Sequence, residues 1–245
     1  MAVSMRSSQD DALMRMAPLE PLDDRLDAGQ HLQLLALQRL LSEDAGPVGG
    51  TLPRAIIKRS FDIAVSALLL FIALPVIALV MVAIKLDSPG PVFLAQRRVG
   101  EGGNEFSLRK LRTMTVDAEA GGARYTAAHD PRITRVGRFL RTIRLDEFPQ
   151  LLNIVRGDMS FIGPRPERPE FETDLEARVP HFRSRLLVKP GVTGWAQIKG
   201  GYASTLPEIT RKLEYDLYYI KNRSLRLDVQ ILFSTFGTVL SRKGR

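Results

Sequence analysis

An uncharged run at residues 63–84 constrains this chain more than any other feature. At about 1.5 Å per residue, a helix of that length reaches across the ~30 Å hydrocarbon core of a bilayer. Pro75 stands near the middle of the run and leaves the carbonyl of Phe71 without a helical partner. Each half is then about half a bilayer thick. The run predicts either a re-entrant helix–break–helix in one leaflet, with the break at Pro75, or a single kinked span.

Basic residues flank the run on both sides: Lys58 and Arg59 precede it, and Lys85, Arg97 and Arg98 follow it. The positive-inside rule needs an asymmetry, so it gives no orientation here or places both ends on the cytoplasmic side. The net charge of +8 favours an anionic partner: nucleic acid, lipid headgroups or a phosphorylated substrate. With no Cys and three scattered His, a metal site would use oxygen ligands and hold Mg²⁺ or Mn²⁺.

The composition divides the chain into three regions. Residues 1–53 form an N-terminal appendage, in which a leucine-rich stretch predicts a short amphipathic helix before a Gly- and Pro-containing linker. A disordered tail is the alternative. The appendage lacks the long apolar stretch of a secretory signal. Residues 54–88 form the membrane segment, and residues 89–245 form a domain predicted to lie on the cytoplasmic side.

Arginines recur at every third position from residue 132 to residue 144, and apolar residues such as Val136, Phe139 and Ile143 lie between them. Residues at this spacing are neighbours on a helix surface. The pattern predicts a basic amphipathic helix at an anionic lipid surface, with a solvated basic face as the alternative.

Two adjacent carboxylates, Asp146 and Glu147, end this row of arginines. Pro149 and an apolar run follow, which predicts a new helix that ends at a Gly157 cap. Free N–H groups and the helix dipole would keep Asp146 ionised at such a helix start. Two interpretations stay open at this point. Asp146 is either the N-cap of the helix or a reactive carboxylate beside a phosphate-binding cluster.

Arg165 stands between Pro164 and Pro166. A cation on such a stiff segment suits a fixed phosphate contact, although an ordinary proline-rich turn with a surface arginine is the alternative. The sequence contains no G-x-x-x-x-G-K-[ST], H-E-x-x-H or G-x-S-x-G motif. Nothing in it therefore points to a P-loop nucleotidase, a zincin protease or a serine hydrolase of the α/β class.

Taken in order, these segments resemble the bacterial sugar transferase family, the small monotopic polyprenyl-phosphate phosphoglycosyl transferases. The resemblance covers about residues 56–241. Each motif alone is weak, whereas the ordered set is highly specific. The set consists of residues 58–62, the apolar segment with Pro75, and residues 110–114, 145–151, 157–166 and 189–197.

The resemblance implies an α+β, mainly helical fold: a membrane-associated domain with a re-entrant helix–break–helix and interfacial amphipathic helices. It implies transfer of a sugar 1-phosphate from a UDP-sugar to undecaprenyl phosphate, with release of UMP, at the start of exopolysaccharide, capsule or O-antigen synthesis. Asp146 is the implied nucleophile, through a covalent phospho-sugar intermediate. Glu147 and Mg²⁺ assist, and both carboxylates are predicted metal ligands. The predicted phosphate-binding cations are Lys58, Arg59, Lys110, Arg112, Arg141 and Arg165.

The resemblance also implies a place at the bacterial inner membrane, with the catalytic domain on the cytoplasmic face, lipid contacts and a homodimer as a further prediction. Two positions depart from the family pattern. Leu74 stands where many relatives have Ser, and Lys199 stands near a position where many have Arg. The alternatives are a membrane-anchored basic binding protein and a single-span scaffold. Nucleic acid is not a predicted partner, because aromatic residues are not interleaved with the cations.

Overall fold

The computed structural model describes residues 52–122, 126, 130–201 and 205–240, so nearly all of the predicted appendage lies outside the described residues. Helix α1 (Leu52–Asp87) comes first and is roughly 54 Å long at 1.5 Å per residue. Within the described ranges it is the one helix long and apolar enough to cross a membrane. Helical structure continues through Pro75, so the predicted interruption at this residue is not seen. The re-entrant topology itself stays a prediction.

An α+β domain made mostly of helices follows α1, as expected for the fold class. Its segments also include short 3₁₀ turns, at Val116–Glu119, Leu145–Glu147 and Phe182–Leu187 among others. The strands are β1 (Phe93–Val99), β2 (Glu105–Leu111), β3 (Ser160–Ile162) and β4 (Gly191–Thr193). The helices are α2 (Arg135–Thr142), α3 (Gln150–Arg156), α4 (Pro169–Arg178), α5 (Trp195–Lys199), α6 (Leu206–Lys221) and α7 (Leu225–Leu240).

The first two strands form an antiparallel hairpin in which Phe93 pairs with Leu111 and Val99 pairs with Glu105. In the sequence, the apolar residues 92–94 indicate a short strand, and a basic, then glycine-rich stretch follows them. That stretch continues as β1 to Val99 because β2 pairs with it along its whole length. The hairpin matters for the site because β2 carries Lys110.

Strands β3 and β4 pair in parallel, with Ser160 opposite Gly191 and Ile162 opposite Thr193. A side chain at Gly191 would put its Cβ 2.1 Å from the amide nitrogen of Gly163. Only glycine allows this close approach of two backbones. The two glycine-containing motifs at residues 157–166 and 189–197 are therefore parts of one backbone junction.

Helix α1 packs against the domain on both sides of Pro75. Before the proline, Val65, Leu69 and Leu70 pack on the main core, whose fully buried residues include Ile154, Met159, Leu213 and Ile231. After it, Val80, Met81 and Ile84 belong to a second cluster with Leu111 and Leu140. Between these contacts lie exposed apolar side chains, among them Phe71 at 78% and Leu79 at 74% exposure.

Polar contacts fasten both ends of α1 to the same domain. Near its start, Arg59 donates hydrogen bonds to the carbonyls of Ile154 and Val155, at 2.5 and 2.9 Å, in the last turn of α3. At its end, the Asp87 carboxylate accepts from the Val136 amide at 3.0 Å, at the start of α2.

The helix predicted from the row of arginines is shorter than the row. It spans α2 alone, and the Thr134 hydroxyl caps it by accepting from the Gly137 amide at 3.0 Å. Arg132 lies before the helix, where it forms an ion pair with Asp130 at 2.6 Å. The buried side of α2 includes Leu140, and its outer side exposes Phe139 to 62%.

Candidate active site

Asp146 and Glu147 lie in the 3₁₀ turn Leu145–Glu147, between α2 and α3. Arg144 precedes this turn in the left-handed region, with φ of 58°, a conformation uncommon for a residue other than glycine. Helix α3 begins only at Gln150, and Pro149 occupies its N-cap position. The structure therefore does not use Asp146 as the cap of that helix.

Glu147 is surrounded by cations. Its Oε1 accepts a hydrogen bond from Nη2 of Arg165 at 2.9 Å and lies 4.0 Å from Nη1 of Arg144. Burial alone would raise the pKa of Glu147, but the charges of Arg165, Lys110 and Arg144 outweigh it and lower the pKa to about 2. Glu147 is therefore a permanent anion at neutral pH.

The pKa of Asp146 is shifted in the opposite direction, upward. Asp146 is only 8% exposed. Its burial, together with the negative charge of Glu147, raises its pKa. Lys110, Arg141 and Arg165 act against this rise without cancelling it. This rise in pKa is opposite in direction to the shift expected at a helix terminus, because Asp146 lies in a buried turn before the helix. A carboxylate with a higher pKa is also the more basic one. Adjacent carboxylates whose pKa values are shifted in opposite directions are typical of acid–base and nucleophilic sites.

Lys110, on β2, acts by its charge on both Asp146 and Glu147. Burial, and then the charge of Arg165, lowers its pKa to about 8. The strand is fastened to α3 by the fully buried Asn153, whose Oδ1 accepts from the Arg109 amide at 3.1 Å and whose Nδ2 donates to the Ser107 carbonyl at 2.8 Å. Asn153 thus bonds to the residue before Lys110 in sequence and sets where that lysine stands relative to the carboxylates.

The six cations predicted to bind phosphate fall into two groups. Lys110, Arg141 and Arg165 all act on the charge of Asp146. The other three connect α1 to the domain. Lys58 pairs with Asp228 at 2.8 Å, Arg59 makes the α3 contacts described above, and Arg112 donates to the carbonyls of Ser88 and Pro89 just after α1. A phosphate contact by these three stays a prediction, and the structure gives their side chains other partners.

The model for the family described as bacterial sugar transferase matches residues 53–242. The chain belongs to this family. The resemblance predicted from the ordered motifs is thereby confirmed.

Similar members of the family come from several bacteria. The UDP-N-acetylgalactosamine-undecaprenyl-phosphate N-acetylgalactosaminephosphotransferase of Aeromonas hydrophila is 43% identical over 200 residues, which is 80% of this chain but 47% of that relative. The UDP-glucose:undecaprenyl-phosphate glucose-1-phosphate transferase of Caulobacter vibrioides is 38% identical over 224 residues, 89% of this chain and 80% of the relative. The exopolysaccharide production protein PSS of Rhizobium leguminosarum bv. phaseoli is 38% identical over 193 residues, 76% of this chain and 96% of the relative. This member of the family thus spans about half of the first relative and most of the other two.

Two arginines of the site were not among the sequence predictions for it. Arg144 lies 4.0 Å from Glu147 because of its left-handed backbone, which nothing in the sequence signals. Arg98, on β1, donates to the Pro166 carbonyl at 3.2 Å, and its charge contributes to the lowered pKa of Lys110. The alternation of side chains along a strand could have placed Arg98 and Lys110 together only if β1 had been recognised to its full length.

The metal-binding capacity of the site in this family member is small. Among the residues that the structure describes, no three His, Cys, Asp or Glu side chains cluster as metal ligands would. Asp146 and Glu147 offer two carboxylates in the midst of cations, which is too little for an all-protein cage. Mg²⁺ is commonly held by one or two carboxylates together with substrate phosphate oxygens and water. The two predicted ligands would suit Mg²⁺ only in that form, and Mg²⁺ stays a prediction.

Proposed function

We propose that the chain transfers a sugar 1-phosphate from a UDP-sugar to undecaprenyl phosphate and releases UMP. The observation that carries the proposal is the buried Asp146 beside Glu147, whose Oε1 accepts from Arg165 at 2.9 Å and lies 4.0 Å from Arg144. Phosphoryl transfer needs positioning and charge neutralisation more than it needs other chemistry. Membership of the family and the printed names of the relatives support the same reaction.

Asp146 is the nucleophile in this proposal. A carboxylate oxygen of Asp146 forms a bond to the β-phosphorus, and the bond from that phosphorus to the oxygen bridging to the α-phosphate breaks, so that UMP leaves. The sugar phosphate is then an acyl phosphate on Asp146. A phosphate oxygen of undecaprenyl phosphate attacks the same phosphorus and regenerates the free carboxylate. Two displacements of this kind leave no net change in the protein.

The neighbouring residues neutralise and orient the phosphates. Lys110, Arg141 and Arg165 surround Asp146 and supply fixed positive charge to the diphosphate. Glu147, ionised at all working pH values, would share Mg²⁺ with Asp146 and the phosphates. Bound there, Mg²⁺ supplies charge neutralisation for the leaving phosphate.

The contacts of α1 support a placement in one leaflet of the membrane. A span would put the two ends of α1 on opposite sides of the bilayer, yet Arg59 binds α3 at one end and Asp87 binds α2 at the other. We therefore propose that the exposed apolar side chains around Pro75, such as Phe71 and Leu79, enter one leaflet, with both ends of α1 on the same side. Exposed apolar side chains on α2 and α7, such as Phe139 and Phe233, support interfacial contact of both helices. The site then faces lipid-borne phosphate at the cytoplasmic surface of the inner membrane.

Topology gives a direct test, because the chain contains no cysteine. Arg54→Cys labels the start of α1 and Glu101→Cys labels the domain, and both residues are exposed. In sealed inside-out vesicles, a membrane-impermeant maleimide should react equally with both variants before detergent is added. Reaction of Arg54→Cys only after permeabilisation would show a single span and overturn the re-entrant proposal.

The reaction itself is tested by UMP release from purified protein with Mg²⁺ and undecaprenyl phosphate. The names of the relatives differ in their sugar, N-acetylgalactosamine in one and glucose in another. The donor panel therefore holds UDP-N-acetylgalactosamine, UDP-glucose and UDP-galactose, with other UDP-sugars added. We expect UMP from at least one donor, dependent on the lipid phosphate. Folded protein that releases no UMP from any donor would contradict the proposal.

We expect kcat/KM to fall at alkaline pH because Lys110 loses its charge there. Because its pKa is lowered to about 8, the lysine loses its charge above that pH and kcat/KM should fall. Lys110→Arg keeps a positive charge at every accessible pH, so its profile should stay flat where that of the wild type declines. Lys221→Arg, in the last turn of α6, serves as the control and should keep the wild-type profile. An unchanged alkaline decline in Lys110→Arg would remove Lys110 from this role.

A further inference from the structure

A buried cation, Arg185, contacts the backbone of Arg165. Its side chain is 6% exposed and belongs to the 3₁₀ turn Phe182–Leu187. Nη2 of Arg185 donates to the backbone carbonyl of Arg165 at 2.5 Å. The Arg165 side chain in turn donates to Glu147 at 2.9 Å. A continuous path of contacts thus leads from Arg185, through the backbone of Arg165, to the acidic pair.

The Arg185 side chain contacts residues on α4, on α6 and in its own 3₁₀ turn. Its Nη1 lies 3.6 Å from Oε2 of Glu172 on α4, and its Nη2 lies 3.5 Å from Oδ2 of Asp216 on α6. Its guanidinium carbon is 4.7 Å from the centre of the Phe182 ring. Within the described residues, neither carboxylate oxygen of Glu172 has a hydrogen-bond partner. Nη2 of Arg185 thus lies near both Asp216 and the Arg165 carbonyl, and its shorter contact is the one to Arg165.

Arg165 belongs to a segment, residues 164–167, in which each backbone carbonyl accepts a hydrogen bond from another part of the chain. Pro164 accepts from the Gly191 amide at 2.9 Å, Arg165 accepts from Arg185, Pro166 accepts from Arg98 at 3.2 Å and Glu167 accepts from the Val99 amide at 3.0 Å. Two prolines without amide hydrogens leave the segment fewer hydrogen bonds of its own. Contacts from outside therefore determine its position, and Arg185 supplies the one at Arg165.

We propose that Arg185 is a positioning residue for the transfer reaction, which fixes Arg165 in place through its backbone carbonyl. The inference rests on the proposed function, since Arg165 is placed there among the phosphate-binding cations. Arg185 touches neither substrate nor the reacting carboxylate in this role. Its effect on catalysis should therefore depend entirely on the side chain of Arg165.

The test uses Arg185→Lys, which keeps the buried charge opposite Glu172 and Asp216 but loses the forked donor of arginine. Arg183→Lys is the matched control, because Arg183 lies on the same turn, is exposed and pairs loosely with Glu176 at 3.6 Å. For the substrate whose KM rises in Arg165→Lys, we expect a roughly tenfold higher KM in Arg185→Lys, as for one charge-assisted hydrogen bond. The control should keep the wild-type KM. A purely structural defect would instead lower the active fraction and leave both KM values unchanged.

A double-mutant cycle decides whether Arg185 acts through Arg165. In the Arg165→Lys background, adding Arg185→Lys should raise the KM no further. Independent, multiplying effects, or an Arg185→Lys variant equal to its control, would overturn the proposal. Hydrogen exchange across residues 163–168 gives a readout that needs no turnover. Exchange there should be faster in Arg185→Lys than in Arg183→Lys and the wild type. If the wild type releases no UMP, the proposed function fails, while equal exchange in all three proteins would overturn the positioning role separately.

Discussion

Asp146→Asn should abolish UMP release, lowering turnover by roughly a thousandfold or more, as loss of a covalent nucleophile does in other enzymes. The amide is nearly the same size as the carboxylate but cannot form the acyl phosphate. Wild-type protein mixed with donor alone should carry one sugar phosphate, visible as an added mass on the intact chain. The variant should show no such adduct.

The same substitution should not destabilise the fold. Burial and the charge of Glu147 raise the pKa of Asp146, so the folded state disfavours the ionised form relative to the unfolded chain. Such a group weakens folding as the pH rises above its unfolded pKa. Removing the charge should therefore leave Tm at neutral pH equal or higher. Asp117→Asn, at an exposed residue in another 3₁₀ turn, is the matched control. Undiminished UMP release by Asp146→Asn in a clean preparation would exclude the nucleophile role.

Asn153→Ala should be among the most destabilising single substitutions in the domain. The side chain is fully buried and makes three hydrogen bonds, to Ser107, Arg109 and Asp158. Its removal leaves those three groups without that partner, at about 1–3 kcal/mol for each one that stays buried and unsatisfied. We expect a loss of about 3 kcal/mol or more in the free energy of unfolding, measured by denaturant titration in detergent.

Loss of activity should accompany this loss of stability even in the fraction that remains folded. Asn153 fastens β2 to α3, so without it Lys110 is no longer held at a fixed distance from Asp146. Asn222→Ala removes an exposed side-chain hydrogen bond at the end of α6 and should change stability by no more than about 0.5 kcal/mol. Equal stability of the two variants would show that the contact between β2 and α3 does not depend on Asn153.

Features set by local chemistry were predictable from the sequence. The C-terminal cap of α3 is one example, because Gly157 adopts φ of 101°, which only glycine takes without cost. Helix α7 is another, since the apolar pattern from Leu225 to Leu240 predicts a helix at the residues where the structure has it. Of the six cations predicted to bind phosphate, Lys110, Arg141 and Arg165 act on the charge of Asp146, and phosphate binding by any of the six stays a prediction.

The roles of other cations were not predictable, because the choice of partner is made across the chain. Lys58 pairs with Asp228, 170 positions away, and Arg59 bonds to the carbonyl of Ile154, 95 positions away. A basic pair beside an apolar run indicates a headgroup contact in the sequence alone, and only the packed structure reveals carboxylates and helix carbonyls within reach. Arg185 illustrates the same point: its importance comes from Arg165, Glu172 and Asp216, which no spacing in the sequence connects.

The contact between Lys58 and Asp228 has a consequence for biogenesis. The ribosome makes Lys58, on α1, 170 residues before Asp228, the partner that closes this contact. At typical elongation rates that delay is on the order of ten seconds. During this delay, the apolar face of α1 that packs on the main core has no folded partner. Lipid, a chaperone or an insertase would therefore have to cover the apolar face of α1 until the domain is complete.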